Sequence, residues 1–259
     1  MDNPVDMTGK VVMVTGGTKG VGRGIAQSFL AAGAKVAICS RNQVEELPSA
    51  GDNAAIFMAV DVRDIEQVQA FVDFTTSKLG RIDVLINNAG GAPHAEAATA
   101  SPRFSESIIR LNLLAPLNLS QAVNAVMQKQ DSGGSIINIA SVSANRPSPG
   151  TAAYGAAKAG LINLTSSLAV EWAPKVRVNA ITAGLIKTEQ AHLHYGDDAG
   201  IDAVSQSIPL GRMAEPSDIG DTCLYLASTM ASYVSGTSIT VHGGGEKPAF
   251  LAVSTADNK

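Results

Sequence analysis

The chain has 259 residues, 45% of them hydrophobic, which suits one large α/β core. Only 16% are charged, the net charge is −4, and Lys and Arg nowhere cluster, which excludes the basic footprint of a nucleic-acid binder. No apolar run reaches membrane-spanning length, the start MDNPVDMTGK holds no apolar signal segment, and Cys39 and Cys223 lie far apart without metal-ligand spacing; the expectation is a cytoplasmic protein with reduced, buried thiols.

In chain order, KVVMVT (residues 10–15) is a short β-branched run, followed by a glycine turn and the helical GRGIAQSFLAAG. KVAICS is a second strand, then come a short polar helix and AAIFMAVDV as a third strand. Residues 64–79 are periodic and helical, and RIDVLINNAG is a strand entering a turn. Residues 103–130 read as one long helix that Pro116 bends. GSIINIAS, a long helix from AAYGAAKAG, VRVNAITAG, a helix over 215–228 and SITVHGGG complete the order.

Nearly all-apolar strands separated by amphipathic helices predict a doubly wound parallel sheet with helices on both faces. One domain is expected over 1–259, with its core at 8–245. Residues 185–213 break the rhythm with weak periodicity and hold His192, His194 and Tyr195; a lid over the substrate is expected there. Residues 246–259 are expected to be an irregular tail.

Two motifs carry chemistry. In TGGTKGVGRG, Gly16, Gly20 and Gly22 follow the first strand and open the first helix, where glycines permit a tight turn and bare N–H groups face an anion. In AAYGAAKAG, Tyr154 and Lys158 stand at i and i+4 on one helix face. A free tyrosine has a pKa of about 10, and a cation beside it favours the phenolate. Taken alone, each motif is also compatible with an ordinary strand–helix turn and a well-packed helix.

TGGTKGVG, NNAG (residues 87–90), Asn112, Ser141 and YGAAK occur in an order and spacing that resemble the short-chain dehydrogenase/reductases, over residues 8–245. The resemblance implies a Rossmann-like fold and an oxidoreductase acting on CH–OH and C=O groups. Tyr154 would be the general acid in reduction and the base in oxidation. Lys158 would lower its pKa and hold the nicotinamide ribose, Ser141 would polarise the carbonyl, and Asn112 would open the helix to a proton-relay water. The dinucleotide would be held by Gly16, Thr18, Lys19, Gly20, Val21 and Gly22. Further contacts would come from Ser40 and Arg41, from Asp61 and Val62 at the adenine, and from Asn88, Ala89 and Gly90. Tyr154 and Lys158 would join them, with Gly184, Ile186 and Thr188 at the carboxamide. Two departures stand out: Ala183-Gly184 replaces the usual Pro-Gly, leaving the backbone less fixed, and His242 replaces an Asp before the terminal glycines.

Ser40 stands where NAD users place an acid, and Arg41 and Lys19 flank it, so NADP(H) is the expected cofactor, with NAD(H) the alternative. No metal is expected, and His94 is read as a surface residue. The substrate is expected to be a bulky, mostly apolar carbonyl or alcohol, with a 3-oxoacyl thioester, its carrier phosphates met by Arg146 or Lys187, preferred slightly over the alternative of a steroid-type ring ketone. A non-catalytic cofactor sensor and a nucleotide-sugar epimerase are the competing classes; the retained Ser141, Tyr154 and Lys158 argue against the first, the short C-terminal segment against the second. A homotetramer or homodimer is expected, built on the Leu-rich LNLLAPLNLSQAV and LINLTSSLAV.

Overall fold

The computed structural model describes residues 5–253. Its main sheet has seven strands: β1 Val11–Thr15, β2 Lys35–Ser40, β3 Ile56–Ala59, β4 Val84–Asn87, β5 Gly134–Ser141, β6 Val176–Ala183 and β7 Ser238–Val241. All pair in parallel, in the spatial order β3-β2-β1-β4-β5-β6-β7. The order reverses between β1 and β4, and at such a switch point the strand ends leave a crevice.

Between the strands run α1 Gly20–Ala31, α2 Ile65–Leu79, α3 Pro102–Ile109, α4 Ala115–Met127 and α5 Ala152–Glu171. Then follow α6 His192–Tyr195, α7 Asp198–Ser207, α8 Pro216–Ala227 and α9 Ala249–Val253. Every residue of β1 is buried, because both sheet faces are covered. Val12 and Val14 face α1 and α8 with Ile25, Phe29, Ile219 and Cys223. Met13 points the other way, toward Phe71 of α2 and Leu119 and Val123 of α4. Burying each such side chain contributes roughly 1.5–3 kcal/mol.

Helices α1 and α8 approach closely because glycines meet the partner: a Cβ on Gly24 would fall 2.3 Å from Pro216, and one on Gly220 2.2 Å from Ser28. Inside the sheet, the Asn87 amide donates to Ser120 Oγ (2.9 Å) and Asn138 Oδ1 (2.8 Å), and Asn138 donates to Thr165 (2.9 Å). This satisfied polar ladder ties β4 and β5 to the helices above them. Both thiols are fully buried, and burial pushes that of Cys39 up to about 12.

Four sequence expectations change. The short polar helix after β2 is absent; Pro48 and Gly51 (φ +58°) instead turn the chain into a two-residue hairpin, Ser49–Ala50 with Asn53–Ala54. The long helix over 103–130 is interrupted by a π-helical turn, Arg110–Leu114, and Pro116 lies in the first turn of α4, directly after it. The 185–213 stretch holds α6 and α7, the latter capped by Asp197 accepting from Gly200 N–H at 3.0 Å. The expected irregular tail contains α9, and its residues 254–259, like residues 1–4, lie outside those described.

Candidate active site

The carboxyl ends of β1, β2, β4, β5 and β6 open onto one cleft of about 500 Å3. Strand order sets its two sides: Ser40, Arg41, Asp61 and Val62 toward β2 and β3, and Ser141, Tyr154 and Lys158 toward β5. Of the residues expected to serve the site, only Thr18 and Asn112 are not on its walls, and both are buried.

The glycine turn lies between the two sides. Gly16 (φ +65°) and Gly20 (φ +53°) take left-handed conformations. A Cβ on Gly22 would stand 2.2 Å from the Gly16 carbonyl oxygen and 2.4 Å from Asn88 Nδ2. The Asn88 amide in turn donates to the Thr15 carbonyl at 2.9 Å, and the Asn88 and Ala89 N–H groups donate to Thr15 Oγ1 at 3.0 and 2.9 Å. The result is a glycine-lined backbone cradle at the N-terminus of α1, and it fits a dinucleotide pyrophosphate.

Helix α5 carries Tyr154 and Lys158 one turn apart, and the Lys158 Nζ stands 5.6 Å from the centre of the Tyr154 ring. Lys158 is 3% exposed, and its Nζ donates to the Ile139 carbonyl at 2.7 Å. Burial lowers its pKa from 10.5 to about 8. Burial likewise raises the Tyr154 phenol; the Ser141 hydroxyl pulls it back down, and Tyr195 of α6 raises it further. The expected lowering by Lys158 is therefore not what dominates here: the ammonium is itself desolvated and directed at Ile139. Ser141, at the end of β5, also accepts from the Ser143 N–H at 3.2 Å, so it caps a turn and faces Tyr154 at once.

The Lys158 shift has a stability consequence. Below pH 8 the lysine is protonated both folded and unfolded, and folding bears the full burial cost. Between pH 8 and 10.5 the folded form loses its proton first, so this group's contribution improves as pH rises, by up to about 3 kcal/mol. Urea unfolding of wild type and Lys158→Met across that window should show wild type gaining on the variant; parallel curves would contradict the shift.

Asn112 sits in the π turn. Its Nδ2 donates to the Ile108 and Gly91 carbonyls (2.9 and 3.0 Å), and its Oδ1 accepts from the Gly91 N–H (2.9 Å). A Cβ on Gly90 would meet Asn112 Oδ1 at 2.7 Å and Lys158 Nζ at 3.3 Å, so only glycine backbone separates the helix irregularity from the lysine.

On the β2–β3 side, Arg41 is exposed and Ser40 Oγ donates to the Asn42 carbonyl at 2.6 Å. Arg63, with no signal of its own in the sequence, lines the cleft and forks onto Asp61 through Nε (2.9 Å) and Nη2. Hydrogen bonds from Arg63 hold the Asp61 carboxyl below its usual range, and the charge of Arg41 adds to this. The cap of α2 is Asp64, not Asp61. Glu189 and His194, from the stretch between β6 and α7, also line the cleft.

A second cavity, of about 400 Å3, shares Gly184 with the cleft and is lined by Val142, Leu185, Ile208 and His242, among others. Arg146 lies on its wall, 2.6 Å from Glu246, whereas Lys187 is exposed and lies on neither cavity wall. The Ala183-Gly184 backbone, expected to be loose, is fixed by pairing of Ala183 with both Ser141 and Val241. His242 fills the space a Gly184 side chain would take: a Cβ there would fall 2.7 Å from the His242 Cβ. His94 is exposed and rests on Gly150. Among the described residues, no three of His, Cys, Asp and Glu come together to hold a metal ion. No helix among those residues is long and apolar enough to cross a membrane.

With this geometry, the chain belongs to the short-chain dehydrogenase/reductase family. The family model described as enoyl-(acyl carrier protein) reductase matches residues 8–246. The chain is 37% identical over 247 residues to dehydrogenase/reductase SDR family member 4 of Caenorhabditis elegans, covering 91% of this chain and 95% of that protein. It is 35% identical over 242 residues to a 3alpha-hydroxysteroid dehydrogenase of Mediterraneibacter gnavus, covering 90% and 96%. The ligand-free aldohexose dehydrogenase of Thermoplasma acidophilum superimposes with a TM-score of 0.86 at 30% identity, covering 99% of each chain. The protein is thus an oxidoreductase of a family that uses NAD(P)(H) on small molecules.

Proposed function

We propose that this enzyme transfers hydride reversibly between NADP(H) and the carbonyl or secondary alcohol of a bulky, mostly apolar substrate. The observation that carries this reading is the meeting of Ser141, Tyr154 and Lys158 at one side of the glycine-lined cleft. The cofactor, when bound, supplies or accepts the hydride. Tyr154 gives the substrate oxygen its proton in reduction and removes it in oxidation. Ser141 donates to that oxygen as charge develops on it. Lys158 orients the ribose, and Asn112 holds the π turn through which its proton can be replaced.

NADP(H) is favoured because Lys19, Arg41 and Arg63 border the cleft while Ser40 stands where an acid would repel a 2′-phosphate. Asp61 lies nearby, but Arg63 already neutralises it. Arg41→Ala should raise KM for NADPH roughly tenfold and leave that for NADH within about twofold. A wild-type preference for NADH in kcat/KM would contradict the assignment.

The second cavity supports the substrate reading, through Val142, Leu185 and Ile208 and residues 185–213 acting as lid. Arg146 is already paired with Glu246, so the phosphates of an acyl carrier would have to displace a carboxylate. That favours a neutral ring ketone of steroid type, in keeping with the hydroxysteroid relative. A 3-oxoacyl thioester is the second reading, supported by the acyl-carrier-protein description of the family model. NADPH oxidation with a steroid ketone, a 3-oxoacyl thioester and an aldose, side by side, separates them; activity confined to the aldose would defeat both. A cytoplasmic homotetramer or homodimer completes the proposal. Leu114 and Val170, 42% and 81% exposed beside α4 and on α5, leave apolar surface for symmetry mates, and a monomer in light scattering would refute it.

A further inference from the structure

Glu189 makes a contact that the proposed chemistry does not use. Its Oε1 accepts the Gly20 N–H at 2.9 Å, across 169 positions of sequence, at the first residue of α1. Thr188 lies against the same residue: a Cβ on Gly20 would meet Thr188 Cγ2 at 3.6 Å and Glu189 Oε1 at 4.0 Å. Both line the cofactor cleft. Glu189 is exposed and, among the described residues, makes no ion pair. It lies two residues beyond Lys187, whose N–H donates to the Ala214 carbonyl at 2.8 Å beside the Ile186–Ala214 bridge. The carboxylate is thus held to the glycine turn by one hydrogen bond, at the start of the segment proposed as the lid.

We propose that Glu189 is a displaceable competitor of the cofactor's pyrophosphate for the Gly20 N–H. This rests on the reading of the glycine turn as the pyrophosphate cradle. A phosphate oxygen and a carboxylate oxygen are the same kind of acceptor, one N–H serves one of them in line, and two anions at that distance repel. Cofactor entry therefore expels Glu189 and releases the lid from α1, and cofactor departure lets Glu189 take the bond back. The device weakens cofactor affinity, speeds release, and ties lid position to cofactor occupancy before substrate arrives.

The test is calorimetric titration of the full chain with NADPH, NADH and adenosine 2′-monophosphate, for wild type, Glu189→Ala and Glu189→Gln. Glu189→Ala should tighten both dinucleotides roughly tenfold, leaving their ratio unchanged, and Glu189→Gln, which keeps an acceptor without charge, about threefold. Adenosine 2′-monophosphate, with nothing to place at the glycine turn, should bind all three alike. Stopped-flow release of NADPH should slow in step. Unchanged or weaker dinucleotide binding by Glu189→Ala overturns the proposal, as does equal tightening of adenosine 2′-monophosphate. If wild type binds no dinucleotide, the cradle reading falls and this proposal with it; dinucleotide binding without a gain in Glu189→Ala removes only the competitor.

Discussion

Tyr154→Phe should lose at least about a thousandfold in kcat while binding NADPH within twofold of wild type. The ring stays, so the half-buried packing on α5 and the 5.6 Å approach of Lys158 survive. Only the transferable proton goes. Ser141 is a poor substitute, since its hydroxyl is engaged by the Ser143 N–H and faces the oxygen it is proposed to polarise. The pH profile sharpens the test. Burial holds the Tyr154 phenol above its ordinary value. Alcohol oxidation needs the deprotonated form, so its rate should climb as pH rises above neutral. Carbonyl reduction needs the protonated form and should stay level until the phenol titrates. Appreciable turnover in Tyr154→Phe, measured by cofactor absorbance, would remove Tyr154 from the acid–base role.

Gly22→Ala should cost more than a hundredfold in cofactor affinity and about 1–3 kcal/mol in stability. The added Cβ would fall 2.2 Å from the Gly16 carbonyl oxygen, 2.4 Å from Asn88 Nδ2 and 2.8 Å from the Gly16 carbonyl carbon. Two of those three atoms are backbone, so no side-chain rotation relieves the clash. The turn must open, and the Asn88 bond to Thr15 is strained with it. Gly51→Ala is the control: nothing lies within 4 Å of its Cβ, though its φ of +58° carries a modest backbone penalty. Denaturation curves and calorimetric titration with NADPH read both quantities; wild-type affinity in Gly22→Ala would mean that the cradle is not where the cofactor binds.

The fold was legible because its signals are local and repeated. Apolar strands such as VVMVT and IINIA, each followed by a periodic helix, leave few alternatives to a parallel sheet. The Tyr154–Lys158 pair was legible because i and i+4 share a helix face. Other features depend on distant partners. Residues 41–48 look helical in composition, but Pro48 and Gly51 direct a hairpin. The π turn at Asn112 arises where its side chain bonds both Ile108 and Gly91, the latter 21 positions away. Arg63 and Glu189 enter the cleft by folding, and no spacing announces either. The electrostatics of Lys158 also resisted sequence reasoning: a cation nearby is visible in sequence, its burial and its bond to Ile139 are not.

The central claim is direct hydride transfer between the nicotinamide and a carbonyl carbon at the Ser141–Tyr154–Lys158 site. Its most direct test is single turnover of NADPH deuterated on either face of C4 with a ketone that the enzyme reduces, the alcohol being examined by mass spectrometry. The account predicts one deuterium on the carbinol carbon from one labelled face and none from the other. Alcohol formed without deuterium from either face would contradict it.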